Sequence, residues 1–217
     1  MPDQKSYYDI DGKQYPRVTH ILGIIEKPGI SRWRGRVGNT EADRISREAS
    51  DLGTKFHETV AEINRGEHLR SFWRPPEGLQ EMAEEYIRWM HQDIEEILGI
   101  EELIYSDEAQ YAGTMDLYAR IRGDDLPSII DIKTANSISA DWPLQLSAYR
   151  KAAFERGRPS KRRVVVRIPK VGKIKAERYD YKNHEHDEMV WDHTLKIWHW
   201  LQDDKKRAKD ALVISGF

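Results

Sequence analysis

The chain contains no cysteine. That excludes a disulfide framework, a thiolate zinc site and a cysteine-ligated iron–sulfur cluster. Nor is there an apolar run approaching the roughly 20 residues of a membrane-spanning helix. The segment from Met1 to Gly12 has neither an apolar core nor a signal-cleavage pattern. The expectation is a soluble cytoplasmic protein with no membrane partner. Net charge is also scarce. There are 35 Lys and Arg against 37 Asp and Glu, which leaves −2 over 217 residues. That length suits one domain.

The neutrality is not local. Between Arg150 and Lys175, eleven basic residues are opposed only by Glu155, a local charge of +10. Between Glu81 and Gln110, ten acidic residues are opposed only by Arg88, a local charge of −9. Arg32 to Arg47 carries +3. Local fields, not the total, steer a polyanion. Such runs are either solvated faces or, in the +10 segment, a track for phosphates.

Hydropathy and turn residues predict the elements. Tyr7 to Gln14 reads as a hairpin turning at Asp11-Gly12. Thr19 caps a helix over His20 to Glu26 that Pro28-Gly29 ends. A long helix runs from Asn39 or Thr40 to Asn64, with Ile45, Ala49, Leu52, Phe56, Val60 and Ile63 inward. Gly53 marks a break or a close contact in it. After a loop from Arg70, a helix covers Gly78 to Leu98. Strands follow at Leu103–Tyr105, Gly113–Arg122 and Ser128–Lys133. Asp141 caps a helix over Trp142 to Glu155, with Pro143 in its first turn. Val164 to Ile168 and Ile174 to Tyr181 are strands, and a last helix runs from His184 to Lys209, with Val190, Trp191, Thr194, Leu195, Trp198 and Leu201 inward. This order predicts an α/β fold, a small mixed sheet flanked by helices. Residues 1–98 would be a mainly helical N-terminal part, and 99–217 the sheet core and C-terminal helix of the same domain.

Asp116 lies on one predicted strand and Asp131 on the next. Lys133 is two residues beyond Asp131 and therefore on its face. Two converging carboxylates beside a lysine suit a hard divalent cation, magnesium or manganese. The lysine would orient a water or stabilise charge on an attacked phosphate. The plain alternative is a strand-end aspartate and a salt-bridged lysine. His57, late in the long helix, is a candidate nitrogen ligand. Gln145 and Tyr149 are four apart on one helical face. Arg32, Trp33, Arg34 and Arg36 interleave an aromatic with guanidinium groups, either a segment that stacks a base and neutralises phosphates or a core anchor, Trp33, beside a solvated helix.

His57, the run from Gly113 to Asp116, Asp131-Ile132-Lys133 and the run from Gln145 to Tyr149, in that order, resemble the PD-(D/E)XK nuclease superfamily. More narrowly they resemble its RecB-type exonuclease branch, which includes phage exonucleases and a mitochondrial genome-maintenance exonuclease. Tyr15 to Leu22 is similar to the N-terminal entry of several members. The resemblance covers roughly residues 15 to 150, and the absence of cysteine sets the chain apart from the iron–sulfur members. It implies a restriction-endonuclease-like core and metal-dependent hydrolysis of DNA, giving 5′-phosphate and 3′-hydroxyl ends. It implies a metal held by His57, Asp116, Asp131 and the carbonyl of Ile132. Lys133 would position or activate the attacking water. Gln145 would hold the substrate backbone or orient Lys133, and Tyr149 would line the substrate path. Glu58 and Glu102 are either ligands of a second metal or surface carboxylates. The setting implied is recombination, replication or repair in a bacterial or phage-infected cell, beside a recombinase, a single-strand-binding protein or a helicase. The alternatives are an endonuclease on the same fold and a non-catalytic nucleic-acid-binding protein.

Overall fold

The computed structural model describes residues 6–203. A hairpin opens the chain, β1 (Tyr7–Ile10) against β2 (Lys13–Pro16), with Asp11 and Gly12 both at positive φ in the turn. Helices α1 (Val18–Leu22), α2 (Pro28–Val37), α3 (Asn39–Asn64) and α4 (Gln80–Asp93) follow. The main sheet takes β3 (Ile94–Ser106), β4 (Tyr111–Ile121), β5 (Ser128–Lys133), β6 (Arg163–Arg167) and β7 (Glu177–Asp180) in spatial order. All neighbours are antiparallel except β5 and β6. Parallel neighbours need a crossover, and α5 (Trp142–Glu155) supplies it. Helix α6 (His184–Gln202) ends the described chain. The protein is therefore mixed α/β, with a five-stranded sheet, a two-stranded hairpin and a helical N-terminal part.

Each face of the main sheet has its own core. Val18, Ile21, Met115, Ile129, Leu146, Val165 and Trp191 belong to the one that gathers α1, α5 and α6. Phe56, Val60, Tyr86, Ile130, Ile132, Val164 and Val166 belong to the one under α3 and α4. Strand β5 alternates between them, so Asp131 and Lys133 fall on the side of Ile129, toward α5. The unbroken apolar run Val164 to Val166 is that of a strand covered on both faces.

Several boundaries differ from the sequence expectations. Helix α1 begins at Val18, so Thr19 lies inside it, and Arg17 is its N-cap residue without a side-chain cap. It ends at Leu22 rather than Glu26. Pro28 does not only stop a helix; at the first position it opens α2, where its missing amide proton is no loss. Helix α3 passes Gly53 unbroken, and a β-carbon there would be 3.6 Å from Thr134 Oγ1, an ordinary contact. Its buried side chains begin mainly at Phe56, while Ile45, Ala49 and Leu52 are only partly covered. Helix α4 stops at Asp93, and the chain runs on as a 13-residue strand. Register shifts between Ile94 and Glu96 and between Ile97 and Gly99 stretch the apolar spacing to three, which imitates a helix. The sheet thus begins at Ile94, inside the part expected to be helical. Asp141 precedes α5 without capping it; its carboxylate accepts instead from Lys27 at 2.7 Å and from Ser139. In α6, Trp191, Thr194, Leu195 and Trp198 are buried, but Leu201 is exposed. The expected extension of that helix to Lys209 lies, from 204 on, outside the described residues.

Candidate active site

Strand register puts three carboxylates in a row. The pairs Ile100↔Leu117 and Glu102↔Met115 set Glu101 opposite Asp116, and Leu117↔Ile130 sets Asp116 beside Asp131. Helix α3 brings His57 over this row. Its Nδ1 is 3.5 Å from Asp116 Oδ2 and 3.9 Å from Glu101 Oε1. One ligand atom each from His57, Glu101 and Asp116 lie within 4.8 Å of one another. Glu101 reaches inward at φ 50°, a left-handed conformation for which a side chain costs about 1–3 kcal/mol.

Asp131 faces a second group. Lys133 Nζ is 2.7 Å from Asp131 Oδ2 and donates to Gln145 Oε1 at 3.0 Å. Gln145 Nε2 donates to Asp131 Oδ1 and to Tyr149 OH, each at 2.9 Å. One helical face of α5 thus fixes both members of the β5 pair. Gly113 gives Tyr149 its place, because a β-carbon there would fall 2.4 Å from Tyr149 Cε1. Ile132 enters through its amide, which donates to Asp116 Oδ2 at 2.6 Å. His57, Asp116, Asp131, Lys133, Gln145 and Tyr149 line a cavity of about 200 Å³. A groove of about 980 Å³ shares Arg17, Thr19 and His57 with it.

The charges are interlocked. Burial opposes the imidazolium of His57, but Asp116 and Glu101 overcome it and push His57 up to about 10. Burial works against the Asp116 carboxylate too, yet His57 and Lys133 hold it below the usual range. For Asp131 burial wins and shifts it upward. Lys133 is desolvated, but Asp131 and Asp116 raise it, so it stays an ammonium donor. Burial raises the Tyr149 phenol, which remains protonated.

One imidazole and two carboxylates in this radius are a donor set that could hold a metal ion. Sequence reasoning named His57 and Asp116 in that set and missed Glu101. It weighed the neighbouring Glu102, which instead sits 2.6 Å from Arg158. The strand register would have found Glu101; the acidic run alone does not separate the two. Glu58 is exposed and lines the groove. The Arg32 to Arg36 segment is not brought to the cluster. It forms α2, which buries no residue; Arg34 pairs with Asp43 at 2.6 Å and Arg32 Nε donates to Pro28 O. Trp33 lines a separate cavity with Ile30 and Ile138.

The +10 stretch is corrected as well. Eight of its eleven cations meet carboxylates: Arg150 with Glu188, Lys151 with Asp192, Arg156 with Asp107, Arg158 with Glu102, Lys161 with Asp125, Arg162 with Asp124, Arg163 with Asp187 and Arg167 with Glu177. Lys170 donates to Ala49 O. A stretch so paired is no free phosphate track.

No family model matches the chain, and no curated protein matches it. Among solved structures it is similar to one described as "Crystal structure of SSO0001", with 14% identity over 87% of this chain and 76% of that chain and a TM-score of 0.42. No helix of the described residues is long and apolar enough to cross a membrane.

Proposed function

We propose that the protein is a magnesium- or manganese-dependent deoxyribonuclease of the PD-(D/E)XK type, hydrolysing phosphodiester bonds from strand ends. One observation carries the reading. A lysine held between a buried carboxylate and a glutamine, Lys133 with Asp131 and Gln145, adjoins a His57–Glu101–Asp116 cluster of metal-ligand spacing. The resemblance in motif order supports the same reading.

His57, Glu101 and Asp116 would hold the cation, with Asp131 beside them. When bound, the ion supplies Lewis-acid polarisation of the phosphate and of the attacking water. The chain does the rest. Lys133 keeps its proton at Nζ and serves as a donor that orients the water and offsets charge on the phosphoryl oxygens. Gln145 fixes the rotamers of Asp131 and Lys133, and Tyr149 fixes Gln145. Ile132 N–H holds Asp116 Oδ2 and keeps that carboxylate aimed. The β1–β2 hairpin favours a strand end over a continuous strand: Tyr8 OH shares a hydrogen bond with Thr114 Oγ1 at 2.8 Å and walls the cavity. DNA is the proposed substrate, with a recombinase, a single-strand-binding protein or a helicase as partners in recombination, replication or repair.

End-labelled linear DNA and closed circular single-stranded DNA, each with and without magnesium or manganese, test this. Metal-dependent loss of the linear substrate alone is expected. Cutting of the circle would replace the exonuclease reading with an endonuclease one. No metal-dependent cleavage of either DNA would overturn both and leave a binding protein.

A further inference from the structure

We propose that Arg17 is a second phosphate-gripping cation of this site, donating to a non-bridging oxygen of the phosphodiester held in the same cavity as Lys133. The inference rests on the nuclease reading above and adds to it a residue to which that reading assigns no role.

The backbone of Arg17 is fastened on every side. Its amide donates to Ser6 O at 3.0 Å, its carbonyl accepts from His20 N and Ile21 N, and it forms an isolated parallel bridge with Ala112 of β4. Val18, which follows, is fully buried. The Cα of Arg17 is therefore set relative to the strand that carries Asp116.

The side chain is placed with equal care. The guanidinium carbon stands 4.1 Å from the centre of the Tyr8 ring. That ring is anchored in turn by the Tyr8–Thr114 hydrogen bond, two residues from Asp116. Stacking on a ring face leaves the in-plane N–H groups of a guanidinium free to donate.

Among the described residues no acceptor is recorded for those donors. Arg17 makes no ion pair among the described residues, although Glu58, Glu62 and Glu101 line the same groove, and its Nε is buried without a hydrogen-bond partner. Arg17 borders both the groove and the inner cavity, at their junction. A planar fork of open donors suits a phosphate, which it grips through paired N–H bonds. The need is local. Glu101, Asp116 and Asp131 crowd the site with negative charge, and a phosphodiester entering it gains from a further fixed cation. Arg17 neither takes nor gives a proton and forms no bond with the substrate.

The test pairs Arg17→Gln with Arg17→Lys and reads both binding and cleavage. The probe for binding is a labelled thymidylate octamer in calcium buffer, titrated over a range of salt. The wild type should bind with a salt slope that Arg17→Gln flattens by about 0.7, the share of one single-strand phosphate contact. Arg17→Lys should keep the slope. With magnesium, Arg17→Gln should lower kcat/KM about 100-fold, the loss typical of one preorganised donor. The proposal is overturned if slope and kcat/KM of Arg17→Gln stay within error of the wild type. It is overturned equally if both variants lose affinity alike with the slope unchanged, which marks a structural role. A wild type that binds the octamer but cuts no DNA sinks the nuclease reading and leaves the slope to decide on Arg17. A wild type that does not bind the octamer sinks the Arg17 proposal, and cleavage of linear DNA alone then decides on the nuclease reading.

Discussion

Between Arg150 and Lys175 arginine after arginine meets a carboxylate, whereas at the mouth of the candidate site Arg17 meets an aromatic ring and, among the described residues, no carboxylate. The first region holds the largest positive count in the sequence and the second a single residue. Pairing reverses their importance. A cation within 3 Å of a carboxylate presents a dipole to solvent, and its field fades within a few ångströms. Arg163 is the extreme case. Its side chain is 0% exposed and is met by Asp187 at 2.7 Å, His184 Nδ1 at 2.9 Å, Ser147 Oγ and the carbonyls of Pro143 and Tyr181. It ties α6 to β6 and α5, and offers nothing to a ligand.

Substitutions can break or sharpen this contrast. The largest effect is expected at the site: Lys133→Met should lower metal-dependent cleavage by about 10³- to 10⁴-fold in an end-label assay. The variant should still unfold cooperatively, because Asp131, already shifted upward by burial, takes a proton when its lysine is gone. Next comes Arg163→Met, which strands Asp187 and should cost about 3–5 kcal/mol. Thermal unfolding should then fall by about 10 °C at unchanged salt dependence of DNA binding. A changed salt slope in Arg163→Met would break the contrast. Glu101→Gln should raise the manganese concentration for half-maximal activity by about 10- to 100-fold, the scale of a weakened metal site. The smallest effect is expected at Lys161→Gln, which should leave cleavage, melting temperature and salt slope unchanged, since Asp124 keeps its contact to Arg162.

Legibility followed the range of the interaction that decides each feature. The limits of α3 and α5, the β1–β2 turn and strand β5 rest on local spacing, and the sequence shows them. Only the Leu103–Tyr105 end of strand β3 was legible; its beginning was hidden because two register shifts occur in its pairing with β4, and a spacing of three looks helical until the partner strand is known. Helix α2 was hidden because Pro28-Gly29 reads as a stop, while the same proline is well suited to a first helical position. At the site, Asp131, Lys133, Gln145 and Tyr149 were legible because two periodicities place them on facing surfaces. Glu101 was not, since a glutamate at φ 50° obeys no propensity and only its neighbour across the sheet explains it. The fate of the basic stretch was equally closed to sequence, because its partners Asp107, Asp124, Asp187, Glu188 and Asp192 are brought by other elements.

Gly113 carries a different lesson. Its missing side chain is what seats Tyr149, and Tyr149 seats Gln145, which holds both Asp131 and Lys133. A descendant of this chain with alanine at that position would retain every ionisable residue of the site. Anyone surveying genomes by those residues would count it as competent, yet its tyrosine would have been pushed aside and its lysine set loose. Decay of such a protein can begin at a position with no functional group to lose.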